Sequence, residues 1–594
     1  MHYLLFFMAL FFSSLASAQE SDKAWAALGH YQNGKSSVDS DNFFLSAEGK
    51  ANPQAELAAT IELFAGDDAT KQCLFPARFL YLQKRGLTHR KFPKCEEYEQ
   101  FKADLQPKDV TLLFTDAYMN NPSSMFGHTL LRIDTKRKGT QMLAHGANYG
   151  AFTGDEGGAA YALKGLFGLY FGGFTVKPYY DIINTYNNIE NRDIWELTLN
   201  LSPQELELMV AHLWEIGHTQ SRYYFFSRNC SYMLLEMLDA LRPELELAKQ
   251  FDKWVIPLDS FKAVAAKDGL VKALNYRPSR QNKIKHRYKM MSSMQVAEYQ
   301  KAMESGDYRL SDGLSDAQKA DVWETAYQTL QYKWVAKELD LADYRRQSFD
   351  VLRARSGYKN QGSIAELDQG KSPLEAHGAK RLAVGAGERN GEFFEKIELR
   401  PAYQSLTDND YGLIRGAQIN FLNTELRHYA QQNKLVMQEL DVLNIRSMAP
   451  IDFNFKPTSF QLDLTMRRWF NPISENEHYV GSFMAGVGGA VDAKEGARFF
   501  AYFNNRVGYG GGISHNSYVA ASVDAGVLWS LGKWRALLEV EPQVASQKLF
   551  TQIGYRGELN YIIATDWSVA ASGEFTDVMG KNTQEYALTL RYYF

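Results

Sequence analysis

The chain has 594 residues, 65 basic against 69 acidic, a net charge of -4 and three cysteines. That length gives room for about three to four domains at roughly 150 residues each, and the near-neutral balance excludes an overall electrostatic pull toward nucleic acid. An odd cysteine count leaves one thiol over when the other two pair.

In chain order, the opening MHYLLFFMALFFSSLASAQ is an apolar run ending in Ala-Ser-Ala, and reads as a secretory signal cleaved after Ala18, with only His2 and the amino terminus in its n-region. No cysteine lies near the cleavage site, so the chain is not itself a lipoprotein. No later stretch reaches the roughly 18 uninterrupted apolar residues that a membrane helix needs. Residues 19–105 read as a mostly helical cap, with PQAELAATIELFAG as an amphipathic segment. Cys73 and Cys95 share this region and pair in an oxidising compartment, which leaves Cys230 as the free thiol.

Residues 106–280 mix strands and helices. DVTLLFTDAY, HTLLRID and QMLAHGANYGA are strand-like, and SPQELELMVAHLWEIG is a helix with Ser202 as N-cap, Pro203 in the first turn and Glu205 completing a capping box. Leu206, Met209, Val210, Leu213 and Trp214 share one face of it. Residues 281–380 are charged and helical and suit a solvated connector.

From residue 381 to 594 the runs alternate apolar and polar between Gly, Asn and Asp turns. In the last of them Tyr586, Leu588, Leu590, Tyr592 and Phe594 point one way, and Glu585, Ala587, Thr589, Arg591 and Tyr593 the other. We count about eleven such runs, which an even-stranded outer-membrane barrel rounds to about ten or twelve. A soluble sandwich also alternates, but these runs are long, with charges on one face and aromatics near the ends of the other, as a lipid-facing wall requires. The final aromatic strand resembles the terminal signal read by the outer-membrane barrel assembly machinery.

The chemistry centres on His128 and Cys230. Cys230 opens a helix whose Met233, Leu234, Met237, Leu238 and Leu241 fall on a buried face, with Pro243 just beyond it. A helix start offers unpaired N–H groups and partial positive charge that stabilise a thiolate; the alternative is a free cysteine acting as a small core residue. His128 begins a strand after Gly127 and alternates with Leu130, Arg132 and Asp134. A cysteine at a helix start facing a histidine on a strand is the papain-like arrangement, here in circularly permuted order. The third polar group belongs on the neighbouring strand. One register sets Asn148 opposite His128; a slip by one residue sets Ala147 there and His145 opposite Leu130. Asn148 is preferred, because an amide holds the ring without competing for its proton.

NPSSMFGHTLLRID, GANYGA, NRDIWELTLNLS and YYFFSRNCSYMLLEMLD resemble the Lnb N-terminal periplasmic domain family, named for a lipoprotein N-acyltransferase of Gram-positive bacteria. The resemblance covers residues 106–280 and implies a Cys/His acyl transfer in which an ester-linked acyl chain of a lipoprotein moves to its terminal amine. It sets His128 on the family histidine and Cys230 on the family cysteine, with Ser124, Asn148 and Asn229 on neighbouring motif positions. The Gram-positive transferase is held by membrane helices, whereas this chain ends in barrel-like strands.

The expected fold is therefore an α+β, permuted papain-like periplasmic domain with a helical cap and connector, followed by an all-β antiparallel transmembrane barrel. The expected protein is an outer-membrane Cys/His acyltransferase or acyl hydrolase acting on membrane lipids or lipoproteins through an acyl-thioester. The alternatives are a non-catalytic lipid- or protein-binding module and a papain-like peptidase. LKGLFGLYFGGF, residues 163–174, is either an apolar lip admitting an acyl chain or a buried strand pair with glycine bends. No cofactor or metal is implied: His212 and His218 on one helix are too widely spaced to share a face. Phosphate-cradling and nucleic-acid motifs are absent.

Overall fold

The computed structural model describes residues 23–117, 119, 125–136, 141–154, 164–251, 253–359, 362–471, 476–511 and 516–594. The chain divides into two compact units, one up to Gln369 and one from Gly370. The signal-like opening and Ser124 lie outside the described residues.

The cap of the first unit includes helices α1 (Pro53–Ala65), α2 (Pro76–Lys84) and α3 (Glu96–Leu105). Cys73 and Cys95 form a disulfide between them, with Cα atoms 5.6 Å apart. A seven-stranded antiparallel sheet follows, built from β1 (Pro107–Thr115), β2 (His128–Thr135), β3 (His145–Ala151), β4 (Tyr170–Pro178), β5 (Ile194–Leu199), β6 (Ser221–Tyr223) and β7 (Val271–Arg277) in the order β6-β4-β3-β2-β1-β5-β7. Gln141–Leu143, read from sequence as part of β3, forms a tight turn with Leu143 exposed, so the strand starts only at His145.

Helices α4 (Pro203–Gly217), α5 (Cys230–Leu241) and α6 (Pro257–Ala265) pack on one face of the sheet. α4 carries the capping box of Ser202 and Glu205 that its sequence announces, a device that satisfies two orphan N-terminal donors at once. The other face is covered by Tyr179–Ile189, whose Tyr179, Ile182 and Ile183 pack with Leu113, Leu130 and Ile194. The cap buries Trp25, Phe64, Phe75 and Phe79 against Ala211 of α4 and Ala240 of α5. At this junction buried Arg78 pairs with Glu56 and Glu215, and His30 lies 2.9 Å from both Glu236 and His212.

Beyond β7 come α7 (Arg280–Met290), α8 (Ser293–Ser305), α9 (Asp316–Val335) and α10 (Leu341–Ser356). These helices are more than a solvated connector. Tyr299, Ala320, Trp323, Ala326 and Leu330 are buried, because the polar faces of α8 and α9 alternate with stripes that pack on one another.

In the second unit the strands from Arg381–Arg389 to Lys581–Tyr593 each pair antiparallel with their neighbours. Arg381–Arg389 pairs with both Glu392–Arg400 and Lys581–Tyr593, closing a barrel of twelve strands. The alternation read from sequence is the alternation of the wall. Tyr586, Leu588, Leu590 and Tyr592 are exposed outward, while Thr589, Arg591 and Tyr593 are buried inward. Apolar outside and charged inside is the pattern of an outer-membrane barrel. At one mouth the segment 405–416 folds inward. Asp408 accepts from Arg400 Nη1 at 2.5 Å and from Tyr593 Oη at 2.7 Å and pairs with Arg381, while Thr407 bonds to Glu558 and Asn560. No helix among the described residues is long and apolar enough to cross a membrane.

Candidate active site

Cys230 is the first residue of α5 and is buried. Asn229 caps this helix: its Oδ1 accepts from the N–H groups of Ser231 (3.0 Å) and Tyr232 (3.2 Å), and its Nδ2 donates to the carbonyls of Phe225 (2.9 Å) and Val255 (2.7 Å). An Asn cap stabilises a helix by about 1 kcal/mol. Here it also braces the loop that delivers Cys230, and it does not use the N–H of Cys230 itself. Below the cysteine Met233, Leu234, Met237, Leu238 and Leu241 are all buried, so the helix start is fixed by its packed face.

His128 starts β2 and pairs with Thr115 of β1. Gly127 before it has φ of 87°, and a Cβ there would lie 2.6 Å from the Phe114 ring and 2.9 Å from the Thr115 carbonyl. Only glycine fits that turn, which aims the imidazole at the end of the sheet. His128 Nε2–H donates to Asn148 Oδ1 at 2.7 Å, leaving Nδ1 as the ring nitrogen for the thiol.

The register that brings Asn148 to His128 is neither of the two weighed from sequence. Leu131 pairs with Ala147 and Ile133 with His145, and this register, carried on, faces Asn148 with Leu130 and His128 with Gly150. Asn148 therefore reaches His128 diagonally, as a same-face neighbour displaced along the strand. Among the described residues, Gln141–Leu143 form a tight turn where a simple hairpin would have paired them. His145 lies three residues from Asn148, on the opposite face of β3.

The electrostatics of the pair follow from its surroundings. Burial alone would push the Cys230 thiol up, but the charge of His128 and the hydrogen bond between the two side chains outweigh it and hold the thiol well below its usual value, helped by the Thr129 N–H and the Ser231 hydroxyl. Burial likewise opposes charge on His128, yet the Cys230 thiolate raises the imidazole above its usual value; Arg192 pulls the other way and Asn148 assists. Each charged form thus favours the other.

Three further contacts carried no assigned role in the sequence. The Tyr186 ring lies 5.6 Å from that of His128, in the π-helical turn Asn184–Ile189. Burial pushes its hydroxyl up to about 12, so it stays protonated. Arg192 holds Tyr186 from behind at 5.0 Å and donates to the carbonyls of Asp116 (2.6 Å) and Thr115 (3.1 Å). Thr129 and Ser231 hydroxyls, 2.9 Å apart, tie β2 to α5 next to the reacting pair. Arg192 falls within NRDIWELTLNLS and Ser231 beside Cys230, so the motifs contained them without disclosing their geometry. His212 is buried against His30, and His218 Nδ1 lies 2.7 Å from the Trp214 carbonyl. In the glycine-rich stretch Tyr170 and Phe174 are buried while Leu166, Phe167, Leu169 and Phe171 are exposed, so it is part strand core and part open surface.

Residues 97–267 match the Lnb N-terminal periplasmic domain. Residues 18–85, 274–367 and 370–593 match three families described as domains of unknown function (DUF7843, DUF7842 and DUF7840). No curated protein matches the chain. Among solved structures, the NanC porin is 10% identical, with 36% of this chain aligned to 100% of that one at a TM-score of 0.24. The KdgM porin is 9% identical over 36% of this chain and 99% of its own, at 0.22. LpxR from Salmonella typhimurium is 10% identical over 36% and 100%, at 0.23. The barrel assignment rests on its closure and on the division of apolar and charged side chains described above.

Proposed function

We propose that this chain, which carries an Lnb N-terminal periplasmic domain and a closed outer-membrane barrel, is a Cys-dependent acyltransferase or acyl hydrolase working from the periplasmic side on acyl esters of lipids or lipoproteins. The observation that carries this reading is the buried Cys230 thiol at a capped helix start, held below its usual value by the charge of a His128 whose Nε2 is held by Asn148. In the reaction, His128 Nδ1 takes the thiol proton and the thiolate adds to the ester carbonyl. The N–H of Cys230 meets the developing oxyanion, and His128 returns the proton to the departing alcohol. An acyl-thioester remains. An amine or water then attacks it with His128 again as base, giving the amide or free acid and restoring the thiol.

Permuted papain-like chemistry on lipids is supported by the order of the two motifs and by the membrane anchor, which holds the domain where acyl esters are concentrated. Full-length protein treated with an acyl-ester activity probe should label at Cys230 and lose the label in Cys230→Ala and His128→Ala. Equal labelling of all three would overturn the proposal. Burial of Cys230 favours a second reading, a lipid- or protein-binding module in which the pair is inert. That reading expects no labelling of the parent protein under conditions where its ligand is retained.

A further inference from the structure

We propose that the end of the seven-stranded sheet bearing His128 and Cys230 is also a membrane-docking surface, which dips Phe152, Leu166, Phe167, Leu169 and Phe171 into the interfacial layer of a phospholipid bilayer. The surface goes beyond the chemistry above and stands or falls independently of it.

Topology brings these residues together. In an antiparallel sheet the start of β2, the end of β3, the start of β4 and the end of β6 share one end, and they carry His128, Ala151, Tyr170 and Tyr223. At that end Phe167 is 66% exposed, Leu169 60%, Phe152 49%, Phe171 47% and Leu166 38%. The N–H of Phe152 donates to the Phe171 carbonyl at 2.8 Å, which ties the residue after β3 to the start of β4. Tyr170 and Phe174 of β4 are buried while Phe171 between them is exposed, and Leu166, Phe167 and Leu169 are exposed in the turn that leads into this strand.

The backbone beneath is built for this. A Cβ on Gly165 would lie 2.1 Å from the Phe225 ring, and one on Gly168, whose φ is 66°, 2.1 Å from the Tyr224 ring. The apolar hook therefore lies flat on the segment that leads into Asn229 and Cys230. Single exposed apolar residues are ordinary, whereas a contiguous aromatic and leucine patch marks an interaction surface.

Two observations commit the surface to a bilayer. Cations border it: Arg222 lies 5.9 Å from the Phe171 ring and Lys164 5.8 Å from the Tyr170 ring. Aromatic and leucine side chains with a basic rim complement the acyl boundary and the phosphates of an anionic leaflet. The same chain also carries an outer-membrane barrel, so the domain is tethered by its own chain to a protein element that sits in a bilayer.

The test uses full-length protein in phosphatidylethanolamine–phosphatidylglycerol proteoliposomes. With Cys230→Ser as background and the disulfide intact, Phe167→Cys, and separately Leu169→Cys, is labelled with a polarity-sensitive fluorophore. Glu207→Cys, exposed on α4, is the control. Labels at 167 and 169 should emit to the blue of the control and be quenched severalfold more by lipids spin-labelled near the headgroup than by aqueous iodide. Iodide quenching equal to that of the control would overturn the proposal. So would protection from both quenchers, which would mean that a protein surface covers the patch. Because the background lacks the thiol, neither result depends on whether Cys230 is a nucleophile.

Discussion

In the seven-stranded sheet the residues that β1 and β2 bury are mostly apolar: Leu112, Leu113, Phe114, Leu130, Leu131 and Ile133. The barrel runs the same two-residue alternation with the sign reversed, exposing Val384, Leu538 and Leu588 and burying Arg381, Arg400, Glu558 and Arg591. The difference lies in the solvent each sheet meets: water and helices in one, lipid outside and a polar lumen inside the other. A buried ionisable group therefore means different things in the two units. In the barrel it is the ordinary lining, paired across the lumen. In the first unit Arg132 of β2 and Glu196 of β5 are buried as an ion pair, whereas His128 of β2 and Cys230 of α5 set a buried base against a thiol of shifted titration, and such pairs cluster at functional sites.

The largest expected effect tests that reading of the sheet. His128→Ala should slow acylation by about 10²–10⁴-fold, the usual contribution of a positioned acid–base group, while circular dichroism and melting change little. Loss of folding in place of rate would make the histidine structural and break the comparison.

The barrel should behave the opposite way. Asp408→Ala leaves Arg381 and Arg400 without their shared carboxylate. Removing one partner from a buried ion cluster costs about 3–5 kcal/mol. The heat-modified gel shift should move to lower temperature, with acylation of a soluble probe unchanged.

The cap gives a third measure. Replacing Cys73 and Cys95 by serine opens a loop spanning a sequence separation of 22, worth about 3 kcal/mol in the chain-entropy account. Proteolysis should then appear first within α1–α3 and leave the barrel intact.

The smallest effect is the most diagnostic. Asn148→Ala should lower acylation by about tenfold, as loss of one orienting hydrogen bond does at roughly 1.4 kcal/mol per decade, and should reshape the pH profile. Activity should rise as pH climbs through the depressed value of Cys230 and fall as it climbs through the raised value of His128. The Cys230 thiolate is the main group raising His128 against burial, and Asn148 adds to it. Removing the amide should move the alkaline limb to lower pH and leave the acid limb nearer its place.

What could be read from sequence follows from range. The α4 capping box is local, and the alternation of the last barrel strand is a period-two pattern, so both stood in the residues themselves. The meeting of His128 with Cys230 was legible because each sits at the start of a regular element. The contact of Asn148 with His128 was legible only as a choice of residue. Its diagonal route depends on the turn before His145, and a two-residue pattern repeats identically under a two-residue shift. Tyr186 was silent because a π-helical turn has no apolar period of its own, and Arg192 stood within NRDIWELTLNLS with nothing in that motif to show its partners. The helical layer after β7 looked solvated because its charges outnumber the few large residues that α8 and α9 bury.

The central claim is that Cys230 carries the acyl group, and intact-protein mass spectrometry tests it most directly. Full-length protein incubated with phospholipid vesicles and quenched in acid should gain the mass of one acyl chain on the peptide containing Cys230. The adduct should be released by hydroxylamine and absent from Cys230→Ser. Undiminished acyl turnover by Cys230→Ser, or the acyl group recovered on another residue, would contradict the account.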